Sequence, residues 1–261
     1  MLKKILHYLY LQYTGKIKFG LGKGYCSRLI QRTGIVSYPV NGIQIELNPT
    51  ALLDRYLINN QEINPTLIDI FDKKLKRGDY FLDIGANIGY FSVLAEKKYQ
   101  ANVIACEPSP RELKRFYGNL SLNDCMHTHC LPLAIGNENS VVPFRLTNYQ
   151  NPSMNHVSDS TDKNCINVQI VKITSILSSE LLRKIRVCKI DVEGFEVDCL
   201  LGFGDQLSLM TNCNFVVEIS PQYLQRHNRS VADIYEIFRN AGFRFHVGIQ
   251  QSNQWEEIFY V

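Results

Sequence analysis

A glycine loop between two apolar segments constrains the fold of this chain more than any other feature. Residues 80–92 read YFLDIGANIGYFS, in which an apolar run ends at Asp83 and a tight turn carries Gly85 and Gly89. This order predicts a β-strand, a glycine loop and the start of a helix. Glycine lacks a side chain, so its backbone can approach a ligand closely. The pattern D-x-G-x-N-x-G differs from the G-x-G-x-x-G that holds a diphosphate, and its carboxylate favours a cationic or amine-bearing nucleoside.

An acidic residue at the end of the next apolar segment completes the pattern. Residues 102–107 predict a second strand, and this strand ends at Glu107. A carboxylate in that position can accept hydrogen bonds from both hydroxyls of a ribose, as in dinucleotide-binding folds. Taken singly, Asp83 and Glu107 would be interpreted as surface charges at strand ends. Together, around a glycine loop in one β-α-β unit, they favour a nucleoside-binding site.

Strands alternate with helices over most of the chain, which predicts an α/β fold with a mostly parallel sheet and helices on both faces. We expect strands at 80–83, 102–107, 129–135, 140–146, 166–173, 186–191 and 214–219, helices at 89–98, 110–122, 175–184, 230–241 and from about 195, and a terminal hairpin of 243–247 with 256–261. A hairpin around Asn41-Gly42 and helices broken near Pro65 precede them. The predicted division is a basic N-terminal extension over residues 1–48 and a main domain over 49–261.

Several acidic residues stand at the predicted carboxyl ends of strands, where open α/β sheets bind their ligands. These residues are Asp83, Glu107, Asp191, Glu193 and Glu218. Such a cluster would repel itself when empty, so a bound cation or sulfonium is expected to stabilise it. The alternative is that Asp191 and Glu193 pair with a neighbouring base such as Lys189, or that Asp191 caps the following helix.

The N-terminus is strongly basic, although the net charge of the whole chain is only +3. Residues 1–45 hold seven Lys and Arg side chains, no acid, and several interleaved aromatics. This composition suits peripheral contact between residues 1–34 and the inner face of an anionic membrane. Nucleic-acid binding and a helical cap packed on the core are the alternatives. No apolar run approaches the ~20 residues of a membrane helix, and no signal-peptide cleavage pattern follows, so we expect the segment to be retained.

The cysteines and histidines indicate neither disulfides nor a metal centre. The chain has eight cysteines and no C-x-x-C pair, which favours reduced thiols in a cytoplasmic protein. His127 and His129 precede Cys130, but no further ligands lie nearby in the sequence. We therefore expect no metal site.

Six short segments occur in an order that is typical of one enzyme family. They are FLDIGANIGYFS (81–92), ACEP (105–108), NLSLN (119–123), LAIGN (133–137), KIDVEGFE (189–196) and VVEISP (216–221). In these segments the chain resembles S-adenosylmethionine-dependent methyltransferases of the FkbM family, over roughly residues 50–250. Many methyltransferases share the glycine loop, whereas KIDVEGFE is much more specific. The resemblance implies a class I methyltransferase sheet, Rossmann-like and seven-stranded, with a reversed C-terminal strand.

The resemblance also implies a cofactor, S-adenosyl-L-methionine, and roles for individual residues. Asp83, Gly85, Asn87 and Gly89 would surround its methionine portion, Glu107 would hold the ribose, and Ala134 and Ile135 would lie near the adenine. Asp191 and Glu193 would face the methyl-transfer centre, and with Glu218 they are the candidate general bases. Family members are mostly O-methyltransferases, so the expected acceptor is a hydroxyl of a sugar, glycan or secondary metabolite. The polar loop 147–160 could bind such an acceptor.

Two other functions stay open from the sequence. A nucleic-acid methyltransferase could use the basic N-terminus, but adenine-methylating enzymes usually carry N/D-P-P-Y/F where this chain has DVEG. The second open possibility is a non-catalytic, membrane-associated protein that retains the methyltransferase fold. It stays open because the family usually has T-L-D before the KIDVEG strand, and the stretch 172–177 here lacks that aspartate.

Overall fold

The computed structural model describes residues 34–49, 51–60, 63–147, 154–158, 163–246 and 253–261. The segment predicted to contact membranes, residues 1–34, lies outside this part of the chain except for its last residue, as does much of the polar loop 147–160. The described residues divide into two compact units, one within 34–63 and one within 64–261. None of their helices combines the length and apolarity needed to cross a bilayer.

The smaller unit is a hairpin with one helix. Strand β1 (Val36–Val40) pairs antiparallel with β2 (Ile43–Leu47) around the predicted Asn41-Gly42 turn. Helix α1 (Leu52–Asn60) contacts both strands. Near its start, the Asp54 carboxylate accepts a hydrogen bond from the backbone N–H of Asn48 at 2.6 Å. The helix therefore belongs with the hairpin that precedes it.

The larger unit alternates strands and helices, largely as predicted. Its first half contains α2 (Pro65–Lys74), β3 (Tyr80–Ile84), α3 (Tyr90–Tyr99), β4 (Asn102–Cys106), α4 (Pro110–Leu122), β5 (Thr128–Leu131), β6 (Ala134–Ile135) and β7 (Ser140–Arg145). Its second half contains β8 (His156–Val157), β9 (Cys165–Val171), α5 (Ser179–Lys184), β10 (Ile185–Ile190), α6 (Glu196–Leu201), β11 (Asn214–Ile219), α7 (Pro221–Leu224), α8 (Val231–Asn240), β12 (Arg244–Phe245) and β13 (Trp255–Tyr260). Pro65 and Pro110 each begin a helix, where the missing N–H costs nothing.

The main sheet of the larger unit has seven described strands in the order β12-β13-β11-β10-β3-β4-β5. The pairs from β11 to β5 are parallel, and β13 runs antiparallel to both β11 and β12. The predicted mostly parallel sheet with a reversed C-terminal strand is thereby confirmed. From β3 the chain adds β4 and β5 on one side and β10 and β11 on the other, so the strand order changes direction between β3 and β10. The crevice expected to bind a ligand therefore opens where β3 and β10 end.

A second sheet was not predicted. Strands β6, β9, β7 and β8 form a four-stranded sheet in that order. The predicted single strand 129–135 was wrong, because β5 belongs to the main sheet and β6 to the second one. Pro132 lies between them, and a proline cannot donate the hydrogen bond that a continuous ladder needs. The predicted helix 175–184 begins later, at Ser179, where the Ser178 side chain caps it.

The core lies between the main sheet and the helices that cover it. The central strands bury nearly continuous apolar runs, as strands covered on both faces do. Near the C-terminus, Phe238 of α8 stacks on Phe259 of β13 with ring centroids 3.9 Å apart, and Phe215 of β11 packs edge-on against Phe238. These aromatic contacts hold the reversed strand on the sheet.

The carboxyl ends of β3 and β10 approach each other closely. The backbone N–H of Asp191 donates to the carbonyl of Ile84 at 3.1 Å, one step beyond the paired strands. Gly85 follows with a φ of +80°, and a Cβ on it would lie 1.9 Å from the carbonyl oxygen of Asp191. Only glycine fits both the dihedral and the space.

We predict that Gly85→Ala destabilises the protein more than Gly78→Ala. Gly78 has a similar φ of +82°, but a Cβ on it would meet no other atom within 4 Å, so it is a matched control. Both changes should cost about 1–2 kcal/mol for a left-handed alanine. Overlap with the Asp191 backbone should add about 1–3 kcal/mol at Gly85 alone. Urea unfolding measures both losses, and equal losses would contradict the close approach of β3 and β10.

Candidate active site

The glycine loop is held against the end of β4 by its own backbone. The N–H groups of Gly85 and Ala86 both donate to the carbonyl of Cys106 at 3.0 Å. At the other end of the loop, a Cβ on Gly89 would lie 2.0 Å from the ring of Phe116. Gly85 and Gly89 thus make room for neighbouring protein atoms. The sequence had suggested that they make room for a ligand.

Glu107 is fixed at the edge of this loop by two backbone donors. Its Oε2 accepts from the N–H of Asn87 and its Oε1 from the N–H of Ser109, both at 2.8 Å. Burial raises the pKa of Glu107 to about 7, although these two hydrogen bonds act in the opposite direction. Each carboxylate oxygen keeps a further lone pair. The oriented side chain can therefore accept ribose hydroxyls, which is the role that the family resemblance implies for it.

Asp83 lies beneath the loop and is fully buried. Its Oδ2 accepts a hydrogen bond from the Ser92 hydroxyl at 2.6 Å, and its Oδ1 lies 3.8 Å from Nζ of Lys189. Burial raises the pKa of Asp83, and the charge of Lys189 opposes that effect. The residue expected beside the methionine portion of the cofactor thus contacts Ser92 and Lys189, and its side chain is not accessible from the crevice.

Lys189 joins the ends of β3 and β10. Its Nζ donates to the carbonyl of Gly85 at 3.1 Å and lies 3.0 Å from Oδ2 of Asp191. Burial alone disfavours the ammonium, but the carboxylates of Asp191 and Asp83 outweigh it and raise the pKa of Lys189. In the sequence, Lys189 was identified only as a neighbouring base that could pair with Asp191 and Glu193 in place of a bound ligand. In the structure it forms ion pairs with two of the acids at the strand ends, Asp83 and Asp191.

Asp191, Glu193 and Glu218 converge in the crevice beside Lys189. One carboxylate oxygen from each lies within 4.8 Å of the other two. Glu193 is only 9% exposed, and its Oε2 has no hydrogen-bond partner in the part of the chain that the structure describes. Burial and the negative charge of Asp191 raise the pKa values of Glu193 and Glu218. The structure therefore brings the three candidate bases into one group.

A turn after β10 aims Glu193 into that group. Glu193 has a φ of +57°, which is uncommon for a residue with a side chain. The carboxylate of Glu196 closes the turn by accepting hydrogen bonds from the N–H groups of Val192 and Gly194. Sequence reasoning did not assign Glu196 a role. The sequence feature that could have indicated this role is the short spacing of acids in DVEGFE, which places Glu196 where it can cap backbone N–H groups.

The remaining predicted residues lie in the second sheet or beside it. Ala134 and Ile135 form β6, and Ile135 belongs to the main apolar core with 1% exposure. Asn155, from the polar loop expected to bind the acceptor, accepts from the N–H of Thr147 at 2.8 Å and donates to Glu112 at 3.0 Å. Asn155 therefore connects this loop to the helix that follows Glu107.

The fold is that of a class I methyltransferase. The sequence model of the Methyltransferase FkbM domain matches residues 83–245, and the chain belongs to this family. S-adenosylmethionine is the methyl donor of this class. The resemblance seen in the sequence is thereby confirmed.

Individual relatives are distant. The chain is 24% identical over 180 residues to Methyltransferase 1 from Beauveria bassiana (strain ARSEF 2860), covering 61% of this chain and 71% of that protein. It is 26% identical over 164 residues to Methyltransferase sdnD from Sordaria araneosa, covering 51% of this chain and 63% of that protein. The solved structure of Trm5b from Pyrococcus abyssi aligns with a TM-score of 0.46 and 14% identity, over 86% of this chain and 54% of that one. This chain thus spans less than two thirds of the last two proteins.

We predict that Lys189→Met lowers the free energy of unfolding by about 3–5 kcal/mol, because it leaves buried carboxylates without their cation. Lys73→Met is the control, since Lys73 makes an ion pair of 2.6 Å with Asp69 on the surface. Exposed pairs contribute little. Denaturant unfolding of both variants measures the difference. A loss at Lys189 as small as that at Lys73 would mean that the buried network does not hold β3 and β10 together.

Proposed function

We propose that this protein transfers a methyl group from S-adenosylmethionine to a hydroxyl of a sugar, glycan or secondary metabolite. The observation that carries the proposal is the convergence of Asp191, Glu193 and Glu218 beside the glycine loop. Three carboxylates with an unpartnered oxygen form a site that can accept a proton. An alcohol needs such an acceptor, because a neutral hydroxyl is a weak nucleophile.

Glu107 is proposed to hold the ribose of the cofactor. Its carboxylate is oriented by Asn87 and Ser109, and it is the acid at the end of β4, next to β3. Asp83 is proposed to act indirectly, through Lys189 and the Gly85 carbonyl, because its side chain is buried. Ala134, at the edge of the core, is the proposed neighbour of the adenine. The Glu107 carboxylate can accept hydrogen bonds from the two hydroxyls of a neutral ribose, so it fits a ribose better than a phosphate, which is itself an anion.

The bound cofactor supplies an electrophilic methyl group on a sulfonium. In the proposed reaction the acceptor oxygen forms a bond to this methyl carbon as the bond to sulfur breaks, and the hydroxyl proton passes to a carboxylate of the acid group. The products are a methyl ether and S-adenosylhomocysteine. Alignment of the two reacting atoms can supply about 7–11 kcal/mol in favourable cases, and a general base adds about 10²–10⁴-fold.

The missing T-L-D aspartate leaves this acid group intact. All three carboxylates come from the ends of β10 and β11, whereas residues 173–177 lie before α5. There, Ile173 and Leu177 are buried in the main core, and Ser175 exchanges hydrogen bonds with Asn139. A binding role without catalysis would not require a group of carboxylates around an unpartnered oxygen, so we favour the enzyme. The nucleic-acid alternative depends on residues outside the described part of the chain.

We predict that the protein binds S-adenosylhomocysteine and that Glu107→Gln weakens this binding more than Glu193→Gln does. Hydrogen bonds to a charged acceptor contribute about 1.5–3 kcal/mol, which corresponds to roughly 10–150-fold in affinity. Only Glu107 is placed to contact the ribose. Calorimetric titration of the three proteins measures the ranking, and the opposite ranking would refute the assignment of Glu107.

The pH dependence of the same titration provides a control. The pKa of Glu107 is about 7, so its carboxylate is charged above that pH and protonated below it. Affinity of the unmodified protein should fall as the pH is lowered from about 8 to about 6, by up to about tenfold per unit below the pKa. Glu107→Gln should lose this dependence. A pH slope that persists in the variant would assign it to another group.

We predict methyl transfer to hydroxyl acceptors. The purified chain should release S-adenosylhomocysteine with polyhydroxylated acceptors and not with amine analogues of the same size, because the acid group serves to remove a hydroxyl proton. Mass spectrometry of the product identifies the methylated atom. Transfer to amines with no transfer to hydroxyls would exclude O-methylation, and binding of S-adenosylhomocysteine without any transfer would favour a non-catalytic protein.

A further inference from the structure

The acid group of the crevice has more carboxyl groups than ion-pair partners in the described ranges of the chain. Lys189 forms ion pairs with Asp83 and Asp191, and the described residues place no ion pair on Glu193 or Glu218. Arg226 acts on Glu193 from a distance, but its guanidinium lies over the ring of Tyr223, 4.0 Å from the centroid. Glu256, opposite Glu218 in the sheet, adds a further acid.

The spacing of the three carboxylates matches a shared ion. One oxygen each of Asp191, Glu193 and Glu218 lies within 4.8 Å of the others. Oxygens that share an ion are separated by at most twice the metal–oxygen distance, about 4.2 Å for Mg²⁺ and about 4.6–5.2 Å for Ca²⁺. The spacing is therefore nearest to that of a Ca²⁺ site, and Mg²⁺ or Mn²⁺ requires the oxygens to move closer together. The donors are all carboxylate oxygens, which suit such hard cations.

Glu193 supplies an independent indication of a ligand. The side chain is about nine-tenths buried, and its Oε2 makes no hydrogen bond to any described residue. A buried carboxylate oxygen without a partner is costly. The turn closed by Glu196 nevertheless aims Glu193 into the acid group. A ligand that approaches from the crevice would give this oxygen its missing partner.

We propose that Asp191, Glu193 and Glu218 bind a divalent, oxygen-preferring cation such as Mg²⁺, Mn²⁺ or Ca²⁺. The sequence predicts a cation or sulfonium near these acids but no metal site, because it cannot show that Asp191 and Glu193 of one loop lie within 4.8 Å of Glu218 of another strand. The inference rests on the proposed function in one respect, which is that the cation site lies at the proposed site of methyl transfer. Three carboxylates leave part of a six-coordinate shell open, so acceptor oxygens can complete it. An acceptor with two adjacent hydroxyls is the class that fits two open positions.

Binding of Mn²⁺ to the full chain tests the proposal without an activity assay. We expect one Mn²⁺ per chain in calorimetry and in the loss of the free-ion paramagnetic resonance signal. Glu193→Gln and Glu218→Gln should each weaken binding at least about tenfold. Glu180→Gln removes an acid that is paired with Lys184 on the exposed surface of α5, and it should bind Mn²⁺ as the unmodified chain does. Circular dichroism of each variant establishes that it is folded.

Three outcomes would overturn the proposal. The first is no Mn²⁺ binding by the unmodified chain up to roughly 10 mM, above the weakest range of protein calcium sites. The second is equal Mn²⁺ affinity in folded Glu193→Gln, Glu218→Gln and unmodified protein. The third is that the sulfonium itself is the cation. In that case S-adenosylmethionine would bind more tightly than S-adenosylhomocysteine, Glu193→Gln would abolish the difference, and no Mn²⁺ would bind.

The proposed function and the cation site fail separately. Mn²⁺ binding that depends on Glu193, without binding of S-adenosylhomocysteine, supports the cation site and contradicts the methyltransferase assignment of the crevice. Binding of S-adenosylhomocysteine without Mn²⁺ supports the proposed function and removes the cation site.

Discussion

The buried ammonium of Lys189 holds the central strands and the acidic crevice in one arrangement. It lies 3.8 Å from Asp83 on β3, 3.0 Å from Asp191 beyond β10, and donates to the carbonyl of Gly85 in the loop. A buried charge is tolerated only when its partners are present, so each of these contacts depends on the others. The register that places Lys189 opposite Asp83 also sets the loop against Asp191.

This arrangement separates two kinds of acid. Asp83 is buried beneath the loop and stabilises the fold through Ser92 and Lys189. Glu193 and Glu218 lie on the crevice side, where burial raises their pKa values and the lysine does not contact them. Chemistry at the crevice therefore depends on the carboxylates that Lys189 leaves without an ion pair. The same shortage of ion-pair partners supports the proposed proton transfer and the proposed cation site.

Local patterns in the sequence predicted the main elements well. Alternating strands and helices, prolines at helix starts and the Asn41-Gly42 turn indicated elements that the structure confirms. The FkbM motifs indicated the family and the reversed C-terminal strand, which pairs as β13 with β11. The second sheet was missed because its strands are short or irregular, and because the apolar run 129–135 continues across Pro132 without a change in composition. Hydrophobicity alone cannot show that one run serves two sheets.

The sequence by itself determined which residues carry charge at the strand ends and that a glycine loop follows the first parallel strand. It offered Lys189 as a partner of the neighbouring Asp191, but it could not show that Lys189 also pairs with Asp83, which is more than one hundred positions away in the chain. The tertiary structure decided that Gly85 and Gly89 are small to admit neighbouring protein atoms, and that Asp83 is a buried partner of Lys189. The sequence placed Asp191, Glu193 and Glu218 at one edge of the sheet, and the tertiary structure decided that one carboxylate oxygen of each lies within 4.8 Å of the others. The physical reason is that charge and conformational preference are local properties, whereas burial and distance arise only when the strands pair.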